Sequence, residues 1–309
     1  MLSLFSPAAW SIAAREARDG PYVAGAQTPW AWQRLLLFIL LAAVILIGVV
    51  IALAAAADLT VRLGWLNLAL FQGEYVAQTL TEEVAFVGVL ALVLISLALA
   101  VLVAAMVVYR RGAGAFLWPW PRGGWGLFLA GFTVMFLVAM AQWPVLHLMD
   151  PQAGPGPLLD PSHPLKERLI YTGGVTLGLL VAAAGEEIGF RGVLLRITGG
   201  LTRSLIAILL VNGILFAAVH LDPDPVAFVS RAASGMVWAW AAIRLGNLAF
   251  AIGAHLANNL FIALLLAPIS EAALPGQNFP VELLALEGVS LLVVLAFVEM
   301  LARRRNRSA

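Results

Sequence analysis

Ala182-Ala183-Ala184-Gly185-Glu186-Glu187-Ile188-Gly189-Phe190-Arg191 lies inside an apolar run covering residues 169–198. A run of that length is a membrane-spanning helix, because about 20 mostly apolar residues cross the hydrocarbon core. An acidic residue at the centre of such a helix costs about 2.5–3.5 kcal/mol on insertion scales. Two adjacent carboxylates also repel each other. A pair kept at that cost marks a functional site inside the bilayer rather than packing.

The rest of the chain agrees with a membrane setting. Its 309 residues are 62% hydrophobic and only 11% charged, against about 25% charged in soluble domains. Mean hydropathy is +0.96. The formal net charge of +1 says nothing about nucleic acid, and with no basic patch beyond the tail no nucleic-acid partner is expected. Cysteine is absent, which removes disulfides, thiol nucleophiles and cysteine-ligated metals.

Hydropathy predicts an all-α polytopic membrane protein with eight spanning helices, at about 35–57, 84–109, 125–148, 169–198, 204–221, 225–243, 247–268 and 283–302. Arginines sort the loops. Arg15, Arg18 and Arg34 precede the first span, Arg110, Arg111 and Arg122 follow the second, and Arg196 and Arg203 flank the turn after the fourth. Arg244 follows the sixth, and Arg303, Arg304, Arg305 and Arg307 close the chain. The alternate loops carry Asp58, Glu74, Glu82, Glu83, Asp150, Asp160, Asp222, Asp224 and Glu271. This asymmetry predicts that both termini are cytoplasmic. The chain divides into an interfacial N-terminal segment (1–34), three spans (35–168), a helical core holding the polar residues (169–268), and a last span with a basic tail (269–309). Trp118-Pro119-Trp120-Pro121 reads as an interfacial belt, and the segment 151–157 as a Pro/Gly breaker.

The core collects polar side chains that lipid cannot solvate. Glu186, Glu187 and Arg191 are on the fourth span, Asn212 and His220 on the fifth, Arg231 on the sixth, and His255, Asn258 and Asn259 on the seventh. Glu287 and Glu299 fall near the ends of the last span and are expected to reach water. Glu187 and Arg191 are four residues apart, so they share a helix face and can pair. Glu186 lies about 100° round the helix and is free to point elsewhere. Phe216 and His220 repeat the four-residue spacing, as do His255 and Asn259. Counted from the turn near Gly200–Thr202 at about 1.5 Å per residue, Glu186 and His220 fall at similar depth.

Glu186-Glu187-x-x-x-Arg191, Phe216-x-x-x-His220 and His255-x-x-x-Asn259, in this order and each in a hydrophobic span, resemble the CPBP family of intramembrane proteases. That family includes type II CAAX prenyl endopeptidases and bacterial Abi proteins. The resemblance covers residues 180–262. It implies an endopeptidase acting on a membrane-associated protein or peptide, lipidated or not, through a glutamate-activated water. It also implies the cytoplasmic membrane of a bacterium or archaeon. The catalytic set it implies is Glu186, Glu187, His220, His255 and Asn259, with Arg191, Phe216 and Asn258 in support. Glu186 would be the base and His220 would hold the water. His255 and Asn259 would face the oxyanion, and Glu187 with Arg191 would keep the motif rigid.

Two questions stay open at this level. Glu186, His220 and His255 could instead ligate Zn²⁺ with one position left for water, although no His-Glu-x-x-His is present. Buried Glu/His sets also serve as proton relays in coupled transporters, and a non-catalytic Abi-type immunity or scaffold protein would keep the same fold. Rival protease chemistries fare worse. Ala232-Ala233-Ser234-Gly235 lacks the first glycine of a rhomboid-like Gly-x-Ser-Gly, and no aspartate lies within a span.

Overall fold

The computed structural model describes residues 6–71, 75–119, 124–149, 154–272, 274 and 278–307. Glu74, Trp120, Pro121, Arg122, Asp150 and the positions 151–153 lie outside the described residues. The described residues are helical, with no strand among them. We number the principal helices α1 (Pro7–Asp19), α2 (Ala31–Arg62), α3 (Leu80–Tyr109), α4 (Gly124–Met149), α5 (Leu165–Leu201), α6 (Leu205–Ala218), α7 (Pro225–Leu245), α8 (Ala249–Leu265) and α9 (Leu283–Arg307).

All eight apolar stretches form helices. Six of them, α2, α3, α4, α5, α7 and α9, are long and apolar enough to cross a membrane. The other two are shorter than expected: α6 has 14 residues and α8 has 17. At 1.5 Å per residue α6 rises about 21 Å, less than the roughly 30 Å hydrocarbon core. The breakers explain both stops. Beyond Ala218, Leu221 turns the chain at φ +53°, and Asp222-Pro223-Asp224-Pro225 cannot continue a helix. Pro268 closes off α8 in the same way.

Local chemistry fixes the starts. Ser6, Thr79, Ser204 and Asp224 cap α1, α3, α6 and α7 by accepting from the backbone N–H of Ala9, Glu82, Ala207 and Ala227. Pro225 follows Asp224 at the first position of α7, where its missing N–H costs nothing.

Packing is densest around α8, which lies against α4, α5 and α7. A Cβ on Gly131 would meet the Phe250 carbonyl oxygen at 2.1 Å, and one on Gly253 would meet that of Phe128 at 2.1 Å. The two glycines thus let α4 and α8 cross backbone to backbone, as small residues do between helices in lipid. Gly213 and Gly235 do the same for α6 and α7, where a Cβ on Gly235 would lie 3.0 Å from the Gly213 Cα. In contrast α2, apolar on all sides, is exposed along most of its length and packs chiefly on α3.

The amphipathic start is folded against the bundle. Trp10 tilts against Trp240 of α7 with ring centroids 5.9 Å apart, and Glu16 pairs with Arg244 at 2.9 Å. Tyr22 and Val23 are fully buried, and burial pushes the Tyr22 phenol well above its ordinary range. The two acidic residues of the last span differ from expectation. Glu299 is buried, accepting from Arg244 Nε (2.8 Å) and Trp240 Nε1 (2.9 Å), and Glu287 accepts from Ser234 Oγ. The reason is that α7 packs along α9 and supplies their partners.

Candidate active site in the membrane core

α5 is not a uniform α-helix. Its first part ends at Glu187, and the next seven residues, Ile188–Leu194, form a π-helical stretch before α geometry resumes at Leu195. Such turns hold an extra residue and frequently sit at functional sites. Here the stretch begins immediately after the paired glutamates and contains Arg191.

The two glutamates have different surroundings. Glu187 is fully buried, and its Oε1 accepts from Arg191 Nη1 and His255 Nδ1, each at 3.0 Å. Arg191 is also fully buried and donates from Nη2 to the Gly235 carbonyl at 3.3 Å. Its guanidinium carbon lies 4.3 Å from the Phe216 ring centroid and 5.4 Å from that of Trp238. A buried cation is tolerated only with a counter-charge and polarisable neighbours, and Arg191 has both. One arginine therefore ties α5 to α7 beneath the carboxylates, with the Phe216 ring of α6 over its face.

Glu186 is 16% exposed at its side chain. Its Oε2 accepts no hydrogen bond from the described residues and lies 3.8 Å from His255 Nε2. His255 thus stands between the two carboxylates, bonded to Glu187 on one edge and facing Glu186 on the other. Trp238 leans on its ring with centroids 4.5 Å apart.

His220 lies two residues past the end of α6 and is exposed. Its Nδ1 is 2.8 Å from the Phe216 carbonyl. Phe216 meets His220 edge-on at 5.1 Å and His255 at 6.0 Å, so one phenyl ring packs against both imidazoles. Asn259 lies one helical turn beyond His255, half-buried, and its Oδ1 accepts from Asn258 Nδ2 at 3.3 Å.

Hydrogen-bond logic assigns the tautomers. A backbone carbonyl and a carboxylate only accept. Nδ1 of His220 and Nδ1 of His255 must therefore each carry the proton, and in the neutral rings Nε2 is the lone-pair nitrogen.

The Zn²⁺ set considered from sequence is not assembled. Among the described residues no group of three or more His, Asp or Glu is placed to hold a metal ion. Glu186 and His255 face each other at 3.8 Å, and the Phe216 ring touches both His255 and His220 edge-on. The other polar residues are structural. Asn212 donates to Thr198 Oγ1 and to the Ile208 carbonyl. Arg231 pairs with Asp222 at 2.7 Å, and Ser234 is engaged with Glu287. Sequence reading missed Trp238. Its position carried a signal, since a tryptophan deep within a span departs from the usual interfacial placement.

Residues 169–261 match the family model of the type II CAAX prenyl endopeptidase Rce1-like proteins. The matched segment begins in α5 and ends in α8, and it contains every side chain of the site just described. The chain is also 26% identical over 168 residues to YyaK, an uncharacterized protein of Bacillus subtilis (strain 168). That alignment covers 51% of this chain and 53% of the relative, so the match spans about half the length of each. No solved structure matches the chain.

Proposed function

We propose that the Rce1-like segment, within an all-helical membrane protein, is the catalytic core of an intramembrane endopeptidase that uses Glu186 as general base. The observation that carries this reading is the asymmetry of the pair. Glu187 is fully buried and its Oε1 is held by both Arg191 and His255, although its Oε2 is unbonded, while Glu186 is partly exposed and turns an unbonded Oε2 toward an imidazole nitrogen.

A water placed against Glu186 Oε2 and His255 Nε2 donates one hydrogen bond to each, since both are acceptors. Glu186 takes a proton from this water as its oxygen attacks the scissile carbonyl carbon. The carbonyl oxygen becomes an oxyanion, and the protonated Glu186 then delivers the proton to the amide nitrogen as the C–N bond breaks. Such proton transfer contributes about 10²–10⁴-fold. The tautomers redistribute the remaining roles. With its Nδ1 proton donated in the hydrogen bond to Glu187, the neutral form of His255 offers a lone pair at Nε2 and positions the water. Asn259 is the neutral amide donor of the set and serves the oxyanion. His220, exposed at the mouth of the site, accepts from the incoming peptide or from the water. Glu187, Arg191 and Phe216 position these groups.

The partners that follow are the lipid bilayer and a membrane-associated peptide or protein, prenylated or not. The test is mass spectrometry of membrane peptides from cells carrying the wild-type chain or Glu186→Ala. New termini present only with the wild type are expected. Identical peptide sets from the two strains would remove the endopeptidase reading.

A further inference from the structure

At the arginine-rich end of the bundle, away from the glutamates, a cleft of about 540 Å³ opens between three parts of the chain. Pro21 and Gly25 come from the connection before α2. Arg111, Trp118 and Pro119 come from the connection after α3, and Arg196 from the last turns of α5. The volume falls within the roughly 300–1,000 Å³ of small-ligand sites. None of its lining residues is acidic, and two are arginines.

Arg196 forms the buried wall, with 7% of its surface exposed. Its Nη1 donates to the carbonyls of Pro21 (3.2 Å) and Ala115 (2.8 Å), and its Nη2 to that of Gly25 (2.9 Å). Carbonyl dipoles hold the guanidinium in place but leave its full positive charge uncompensated. Arg111 forms the outer wall, and its charge bears on Arg196 across the cleft. Among the described residues neither arginine forms an ion pair with a carboxylate. Two like charges turned into one cleft favour an anion between them. Guanidinium forks match the oxygens of a phosphate, and Trp118, 54% exposed, stands at the rim as interfacial tryptophans do beside headgroups.

We infer that the Arg111–Arg196 cleft binds a phosphate group, either the headgroup of an anionic phospholipid or a soluble phosphate. Basic pockets between helix ends on the arginine-rich side of a membrane protein take anionic headgroups in this manner. The site is independent of the proteolytic reading, and its test reads binding rather than cleavage.

The full chain is reconstituted in vesicles of phosphatidylcholine with a minor share of phosphatidylglycerol. Lipid retained after detergent extraction is then quantified by mass spectrometry. Phosphatidylglycerol is expected to be enriched over its share, and Arg111→Ala to cut that enrichment about fivefold, the worth of one arginine near a membrane surface. Arg203→Ala, which removes an exposed arginine at the same end but outside the cleft, is expected to leave it unchanged. A parallel arm measures the melting temperature of the same proteins in phosphatidylcholine alone with added inorganic phosphate. Arg111-dependent enrichment of phosphatidylglycerol, with no rise in melting temperature on adding phosphate, assigns the site to lipid. An Arg111-dependent rise in melting temperature with phosphate, without lipid enrichment, assigns it to a soluble phosphate. Equal retention and equal melting in Arg111→Ala and the wild type would overturn the site.

Discussion

Glu187→Ala leaves the Arg191 guanidinium fully buried without its counter-charge and His255 without the acceptor that fixes its tautomer. Removing one partner of a buried pair costs about 3–5 kcal/mol, so this variant is expected to melt far below the wild type in detergent. Glu186→Gln disturbs no formed hydrogen bond and is expected to stay within about 1 kcal/mol of the wild type in the same measurement. Asn259→Ala should lower kcat by about 10²–10³ with little change in KM, the signature of a donor that acts on the oxyanion. The ion pair was legible in the sequence, because four-residue spacing puts Glu187 and Arg191 on one face. The position of His255 was not. Whether an imidazole on α8 meets one carboxylate or stands between two depends on the register of α8 against α5, which side-chain spacing within a single helix does not encode. The same blindness put Glu299 in water, since its partners Arg244 and Trp240 lie more than 50 residues away in the chain.

Each of the eight apolar stretches that hydropathy marked is a helix, six of them long enough to cross a membrane, because apolar length is a property of each segment by itself. Hydropathy overstated α6 and α8, where the breakers at Pro223, Pro225 and Pro268 end the helix before a full crossing. It also gave no sign of the π-helical stretch at Ile188–Leu194, which adds no apolar signature to α5. The stop of α6 has a consequence for the site, since it leaves His220 on a turn instead of on a helix face. Crossing points are set by glycines, and they can be tested directly. Gly253→Ala places a methyl carbon 2.1 Å from the Phe128 carbonyl oxygen, and neither backbone can yield cheaply. Overpacking of this kind costs about 1–3 kcal/mol or more. Gly288→Ala on α9 meets nothing within 4 Å and is expected to melt like the wild type, which makes it the matched control.

The whole molecule arranges two ends of unequal charge around a buried polar centre. Arginine placement predicts that the turn between α5 and α6 faces the cytoplasm and that the segment before α5 faces the opposite side. The chain has no cysteine, so single substitutions report sidedness without background. Arg203→Cys is expected to react with an impermeant maleimide only from the cytoplasmic side, and Ser162→Cys only from the other. The same arrangement buries Glu187 and leaves Glu186 accessible, and on that difference the functional account depends. The most direct measurement is cleavage of a membrane peptide, identified as a substrate of the wild type, by purified wild-type and Glu186→Gln proteins in matched proteoliposomes. The account predicts a loss of about 10²–10⁴-fold in the variant with an unchanged melting temperature. Cleavage by the folded variant within a few-fold of the wild-type rate would contradict it.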